Sequence, residues 1–353
     1  MSELMNYLSR AVEEQASDLF FIAGSPVNMK LDGRICPVSE HRLLPADSEA
    51  LLLEMYAMAN RSMDHFLTTG DDDFSFARAG LARFRVNAYR QRGSMAAVVR
   101  VVSFDIPDYK ELNIPEAVMN LADTSHGMIL VTGTAGSGKS TTQACIIDRI
   151  NQNRDCHIIT LEDPIEFLHR NHRSIVSQRE ISIDTEDYLS ALRACLRQAP
   201  DVILLGEMRD AETIRTAITA AETGHTLIAT LHTKGAVNTI DRIVDSFPST
   251  QQAQIRTQLS AVLRTVVSQQ MLPDKEGGLI PAFEIMHTNN AIRSLIRDNK
   301  CYQLDNVIAS GASEGMISMD QSILSLYRAG HITKDTALNY SEHPEQLKRQ
   351  LGP

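Results

Sequence analysis

Two patterns of hydrophobic spacing divide the chain. Up to about residue 102 the apolar stretches are short. A first helical segment precedes runs at 18–23 and 27–31, which Gly24-Ser25-Pro26 separates, and Asp32-Gly33 before 34–38 is a hairpin signal. A helix is predicted over 46–58, and after Gly70 the pattern returns to strands at 73–77, 82–89 and 95–102. The alternation in the second of these puts Phe84, Val86 and Ala88 on one face and Arg83, Arg85 and Asn87 on the other. Such a strand is half buried and displays a row of cations.

The stretch 103–112 reads as loop, interrupted by Pro107, and marks a domain boundary. From Gly127 onward, apolar runs at 128–131, 157–161, 202–205 and 227–231 alternate with long helical segments, the pattern of a parallel sheet covered by helices. From about Asn289 the tail is helix-rich and turns polar after His343. The expected organisation is a small α+β domain over 1–102, a linker over 103–115, an α/β domain over 116–288 and a helical region over 289–353.

Composition adds limits. Among 353 residues, 34 Lys plus Arg face 44 Asp plus Glu, a net charge of −10 that argues against a basic nucleic-acid-binding surface. No apolar run approaches the roughly 18 residues needed to cross a bilayer, and the first residues lack a signal-peptide pattern. A cytoplasmic protein without a transmembrane segment and without direct nucleic-acid contact is expected. Cys36, Cys145, Cys156, Cys195 and Cys301 are single and widely spaced, so reduced thiols are expected rather than a disulfide framework or zinc ribbon.

The first chemical motif is Gly133-Thr134-Ala135-Gly136-Ser137-Gly138-Lys139-Ser140, followed by Thr141, between an apolar strand and a helical run. This is the phosphate-loop pattern in the context it requires. Glycines let the backbone curl so that N–H groups face phosphate oxygens, Lys139 brings a cation to the β- and γ-phosphates, and the Ser140 hydroxyl suits Mg²⁺. ATP and Mg²⁺ are therefore the expected ligands.

Acidic and imidazole groups stand around other strands of the same pattern. Glu207 follows the apolar 202–205 run at the place where a carboxylate can activate water or join a Mg²⁺ shell. The preceding residue, an aspartate in many phosphate-loop enzymes, is Gly206, which leaves Ser140 and waters to carry the metal. Glu162, Asp163 and Glu166 cluster around Pro164, and His225 and His232 flank another apolar run. Carboxylates at strand ends suit a water-and-metal network, and imidazoles near a γ-phosphate suit a sensor.

TGTAGSGKST, TLEDPIEF, DVILLGEMRD and ETGHTLIATLHT, in this order, resemble the secretion ATPase superfamily, whose members drive type IV pili and type II secretion. RFRVNAYRQR before the loop and AIRSLIRD after it resemble its PilT-like retraction ATPases. The resemblance implies a PAS-like N-terminal domain joined to a RecA-like ATPase domain in a homohexamer. It makes Lys139 and Ser140 nucleotide and metal ligands, Glu207 the catalytic glutamate, Glu162, Asp163 and Glu166 an acidic box, and His225 and His232 a histidine box. Arg83, Arg85 and Arg100 match arginines that reach the phosphates from the N-terminal domain. The family's extension ATPases carry a paired-cysteine zinc site and a long additional N-terminal region, so the expectation here is retraction.

In AIRSLIRD, helical spacing puts Ile292, Leu295 and Ile296 on one face and Arg293 and Arg297 on another. The resemblance implies that these arginines couple the motor to an inner-membrane platform protein of the pilus machine, placing it at the cytoplasmic side of that membrane. An accessory pilus ATPase, a type II secretion or DNA-uptake ATPase, and a RecA-like nucleic-acid translocase remain alternatives on sequence grounds.

Overall fold

The computed structural model describes residues 2–31, 33–78, 80–102 and 106–351. Asp32 of the expected hairpin turn, residues 103–105 of the expected linker, and the chain ends Met1 and 352–353 lie outside the described residues. The chain forms two compact units, Met1–Asp105 with Glu166–Leu168, and Ile106–Ile165 with His169–Pro353.

In the N-terminal unit, α1 (Glu3–Glu13) starts where the Ser2 hydroxyl accepts the Met5 N–H, and it buries Leu4, Leu8 and Ala11. The strands are β1 (Asp18–Ile22), β2 (Asn28–Leu31), β3 (Arg34–Pro37), β4 (Asp71–Arg78), β5 (Ala82–Gln91) and β6 (Ser94–Val102). Helices α2 (Pro45–Met58) and α3 (Asp64–Thr69) stand between β3 and β4. The short α3 was not anticipated by periodicity. The strands form one antiparallel sheet in the order β3-β2-β1-β6-β5-β4. Phe84, Val86 and Ala88 are buried while Arg83 and Arg85 are half-buried and Asn87 is exposed, as the alternation predicts.

The second unit begins with α4 (Glu116–Met119) and β7 (Gly127–Thr132), then α5 (Lys139–Asn153), β8 (His157–Glu162), β9 (Ile175–Glu180), α6 (Tyr188–Cys195) and β10 (Val202–Leu205). It continues through α7 (Ala211–Glu222), β11 (Thr226–Leu231), α8 (Ala236–Asp245), α9 (Ser249–Val262), β12 (Leu263–Pro273) and β13 (Leu279–His287). Helices α10 (Asn290–Arg297), α11 (Leu304–Ser310), α12 (Met319–Arg328), α13 (Lys334–Tyr340) and α14 (Pro344–Leu351) form the helix-rich tail. The sheet order is β13-β12-β7-β11-β10-β8-β9, parallel except for β13, which returns antiparallel to β12.

Every residue of β7, β10 and β11 is buried, the mark of central strands covered on both faces. Three strands, β9, β12 and β13, were not anticipated. Cys145, Cys195 and Cys301 are buried, and burial pushes each thiol up to about 11, which suits inert packing. Among the described residues no helix is long and apolar enough to cross a membrane.

Candidate nucleotide site

The parallel register gathers one edge of the sheet into a site. The phosphate loop leaves the end of β7, Glu162 closes β8 and Asp163 follows it, Gly206 and Glu207 follow β10, and His232 follows β11. Because β7, β11, β10 and β8 are consecutive neighbours, these groups stand about one strand spacing apart, roughly 4.8 Å at each step. Ligands of open parallel sheets bind at this edge.

The loop's own groups suit an anion. Lys139 is buried and donates from Nζ to the carbonyls of Gly133 and Thr134, both at 2.9 Å. The hydroxyls of Thr132 and Ser137 are buried without a hydrogen-bond partner. Orphaned hydroxyls beside a curled, glycine-rich backbone at the start of α5 fit a bound phosphate. A cavity of about 510 Å³ opens beside Thr134, Gly136, Ser137 and Lys234. Among the described residues no set of three His, Cys, Asp or Glu is arranged to hold a metal alone.

Packing fixes the glycines. A Cβ on Gly133 would lie 2.2 Å from the Gln269 carbonyl oxygen, and one on Gly138 would lie 2.9 Å from Gln269 Nε2. Gln269 also accepts the Thr142 hydroxyl at 2.8 Å, so one residue of β12 braces both the loop and α5. Sequence reasoning missed this residue. The polar Ser268-Gln269 pair inside an otherwise apolar run was the available signal.

Glu207 is 9% exposed and pairs with Arg209 through one oxygen and with His232 Nε2 through the other, at 3.4 Å. Arg209 is a further group the sequence reading overlooked. Glu162 accepts the Thr160 hydroxyl at 2.6 Å and the Gln178 amide at 3.3 Å.

Other expected residues stand apart. His225 precedes β11, and its carbonyl accepts the N–H of Gly127, the first residue of β7. It therefore lies at the opposite edge of the sheet from Glu207, roughly 20 Å away across six residues of strand. Its Nδ1 contacts the Ala220 carbonyl at 2.9 Å, a bond that closes the end of α7. The expected placement of His225 beside the phosphates is corrected: the two histidines bracket one strand and so face opposite edges. Glu166 belongs to the short stretch assigned with the N-terminal unit.

In that unit Arg85 forms a two-point pair with Asp73 at 3.0 and 2.8 Å, and Arg100 pairs with Asp18 at 3.1 Å. The cation row is thus matched in part by carboxylates of its own sheet. On α10, Ile292 and Ile296 are buried and Leu295 packs against them, as expected. Arg297 is exposed, but Arg293 is half-buried with its Nε enclosed and unpartnered. The sequence reading leaves both arginines available to a partner; the structure leaves Arg297 exposed and Arg293 only half so.

A phosphate loop after β7, a glutamate after β10 and an almost wholly parallel sheet define a RecA-like P-loop nucleotide-binding domain. The chain belongs to the type II/IV secretion system protein family, whose model matches residues 1–348. It is 41% identical over 346 residues to the type IV pilus retraction ATPase PilT of Pseudomonas aeruginosa, covering 98% of this chain and all of that one. It is 36% identical over 350 residues to the type IV pilus ATPase PilU of the same organism, covering 99% and 91% of the two chains. The crystal structure of the pilus retraction motor PilT with bound ADP superposes with a TM-score of 0.90 at 44% identity, covering 99% of both chains.

Proposed function

We propose that this protein is an ATP-hydrolysing motor subunit that powers type IV pilus retraction. The observation that carries the reading is the placement of Glu207 and the phosphate loop at one edge of one sheet, in a chain similar over its full length to a retraction ATPase. The loop N–H groups, Lys139 and Ser140 hold the phosphates. Ser140, with water, would hold Mg²⁺, which when bound would supply positive charge against the phosphates. Glu207 orients and deprotonates the attacking water, Asp163 and Glu162 order the water network around it, and His232 reports on the occupant through its contact with Glu207.

The reading extends to a homohexamer in which Arg83, Arg85 and Arg100 add charge stabilisation at the phosphates, each leaving its present carboxylate partner where it has one. Arginines in such positions are worth about 10³–10⁵ in rate. Arg297, with Arg293 behind it, transmits the work to an inner-membrane platform protein at the cytoplasmic face. The deciding experiment is deletion of the gene with counting of surface pili and scoring of twitching motility. A retraction motor gives many pili and no movement; a normal pilus count with normal motility overturns the reading.

A further inference from the structure

Gly206 occupies the place where many phosphate-loop enzymes carry an aspartate, and its backbone does not explain the glycine, since it does not adopt a positive φ. Space explains it. A Cβ on Gly206 would lie 2.7 Å from the hydroxyl oxygen of Tyr188, 3.0 Å from the Leu161 carbonyl oxygen and 3.4 Å from Glu162 Cα. Real Cβ atoms do not approach oxygen so closely, so the phenol fills the room that a side chain at 206 would need.

The tyrosine is delivered there by design of the local chain. It is the first residue of α6, whose start is fixed by Asp187 accepting the Ser190 N–H at 2.7 Å. The ring packs against the apolar core of the second unit, leaving the hydroxyl between the ends of β8 and β10. The charges of Glu207, Asp163, Arg209 and Glu162 act on it. Burial, and then the neighbouring carboxylates, push the phenol well above its usual range, so it keeps its proton under all working conditions. Toward ionised carboxylates a protonated hydroxyl acts as a hydrogen-bond donor, directly or through a water they share.

We propose that Tyr188 is a positioning residue of the hydrolysis site, whose hydroxyl takes the space left by Gly206 beside the ends of β8 and β10 and donates a hydrogen bond to a water shared with the carboxylates there, holding that water in line with Glu207. This rests on the ATPase reading above. The group does not touch the phosphates, and its effect therefore falls on the hydrolysis step and not on nucleotide affinity.

The test is Tyr188→Phe, which removes one oxygen and keeps the ring packing. In the whole 353-residue chain, kcat for ATP should fall about tenfold, the value of one hydrogen bond, while KM, affinity for a fluorescent ADP analogue and Tm hold. Gly206→Ala displaces the hydroxyl without changing Tyr188 and should lower kcat similarly, and adding Tyr188→Phe to it should cost no further turnover. Unchanged kcat in Tyr188→Phe overturns the proposal. A loss of Tm or of ADP affinity parallel to the loss of kcat also overturns it, in favour of a packing role. A wild-type protein that binds ADP and never hydrolyses ATP would be a different failure, that of the ATPase reading itself, and would take the Tyr188 proposal down with it.

Discussion

His232 Nε2 stands 3.4 Å from Glu207 Oε2, while Arg209 holds the other oxygen of the same carboxylate. The candidate base is gripped from both sides, by His232 at the end of the neighbouring β11 and by Arg209 two residues further along its own segment. Its freedom to meet water depends on how those partners shift when phosphates enter.

Glu207→Gln keeps the shape and loses the basicity. Turnover should fall by about 10²–10⁴, the span of general-base contributions, while binding of a fluorescent ATP analogue persists. Steady-state phosphate release alongside equilibrium binding checks both halves. Turnover at the wild-type rate would remove Glu207 from the role of base.

Lys139→Ala deletes the cation nearest the loop and also its two hydrogen bonds to the Gly133 and Thr134 carbonyls. Nucleotide affinity should weaken by at least about tenfold, and hydrolysis should fall below detection. Titration with the ADP analogue, with and without Mg²⁺, reads the first effect directly.

Gly133→Ala should be far more damaging than its size suggests. The glycine has φ +143°, and the new methyl would meet a backbone oxygen of β12 that has no flexible side chain to yield. Loss of ADP binding, together with a Tm lowered by several degrees, is the expected result. A protein with normal affinity would show that the loop can be rebuilt around β12.

Glu284 gives stability a pH dependence. It is buried on β13, accepts the Ala236 N–H at 2.8 Å, and is pushed up to about 7 by burial and then by Glu342. The unfolded chain releases this proton near its ordinary 4.5, so between that pH and about 7 the folded state binds more protons. Stability is therefore highest below about 4.5 as far as this group is concerned, and it falls as pH rises through 7. Glu284→Gln keeps an acceptor for Ala236 and removes the charge. It should gain up to about 3 kcal/mol at pH 8 and nothing at pH 4.5. Urea unfolding of both proteins across this range provides the check.

Arg297→Ala alone should preserve ATPase activity and assembly while abolishing twitching, because the guanidinium is exposed on α10 and the apolar face below it is untouched. Complementation of a deletion strain, paired with turnover of the purified variant, separates work from chemistry. Normal motility would reduce Arg297 to a solvated surface charge.

What could be read from sequence follows the strength of local signals. The apolar runs at β7, β8, β10 and β11 are buried on both faces and announce themselves, as does a glycine loop between a strand and a helix. The alternation in β5 placed its arginines correctly but gave no hint of Asp73 on β4 as the partner of Arg85, nor did β6 announce Asp18 of β1 as the partner of Arg100. β12 was hidden because Ser268, Gln269 and Gln270 interrupt its apolar pattern, and those polar residues serve the start of α8, the phosphate loop with α5, and the end of α13 in turn. His225 shows the limit of motif spacing: a strand between two histidines is also a ruler that separates them. Tyr188 carries no motif, and only the fold brings it near Glu207, whereas Arg209 stands inside DVILLGEMRD and was passed over there.

The brace from Gln269 to the phosphate loop spans 127 residues of chain between Thr142 and its partner. During synthesis the glycine-rich segment leaves the ribosome long before the strand that shapes it. The nascent protein thus carries the written motif without the fitted pocket, and it cannot acquire a braced nucleotide site until β12 has emerged and entered the sheet. Any fragment ending before that strand, however complete its motifs, should be blind to ATP.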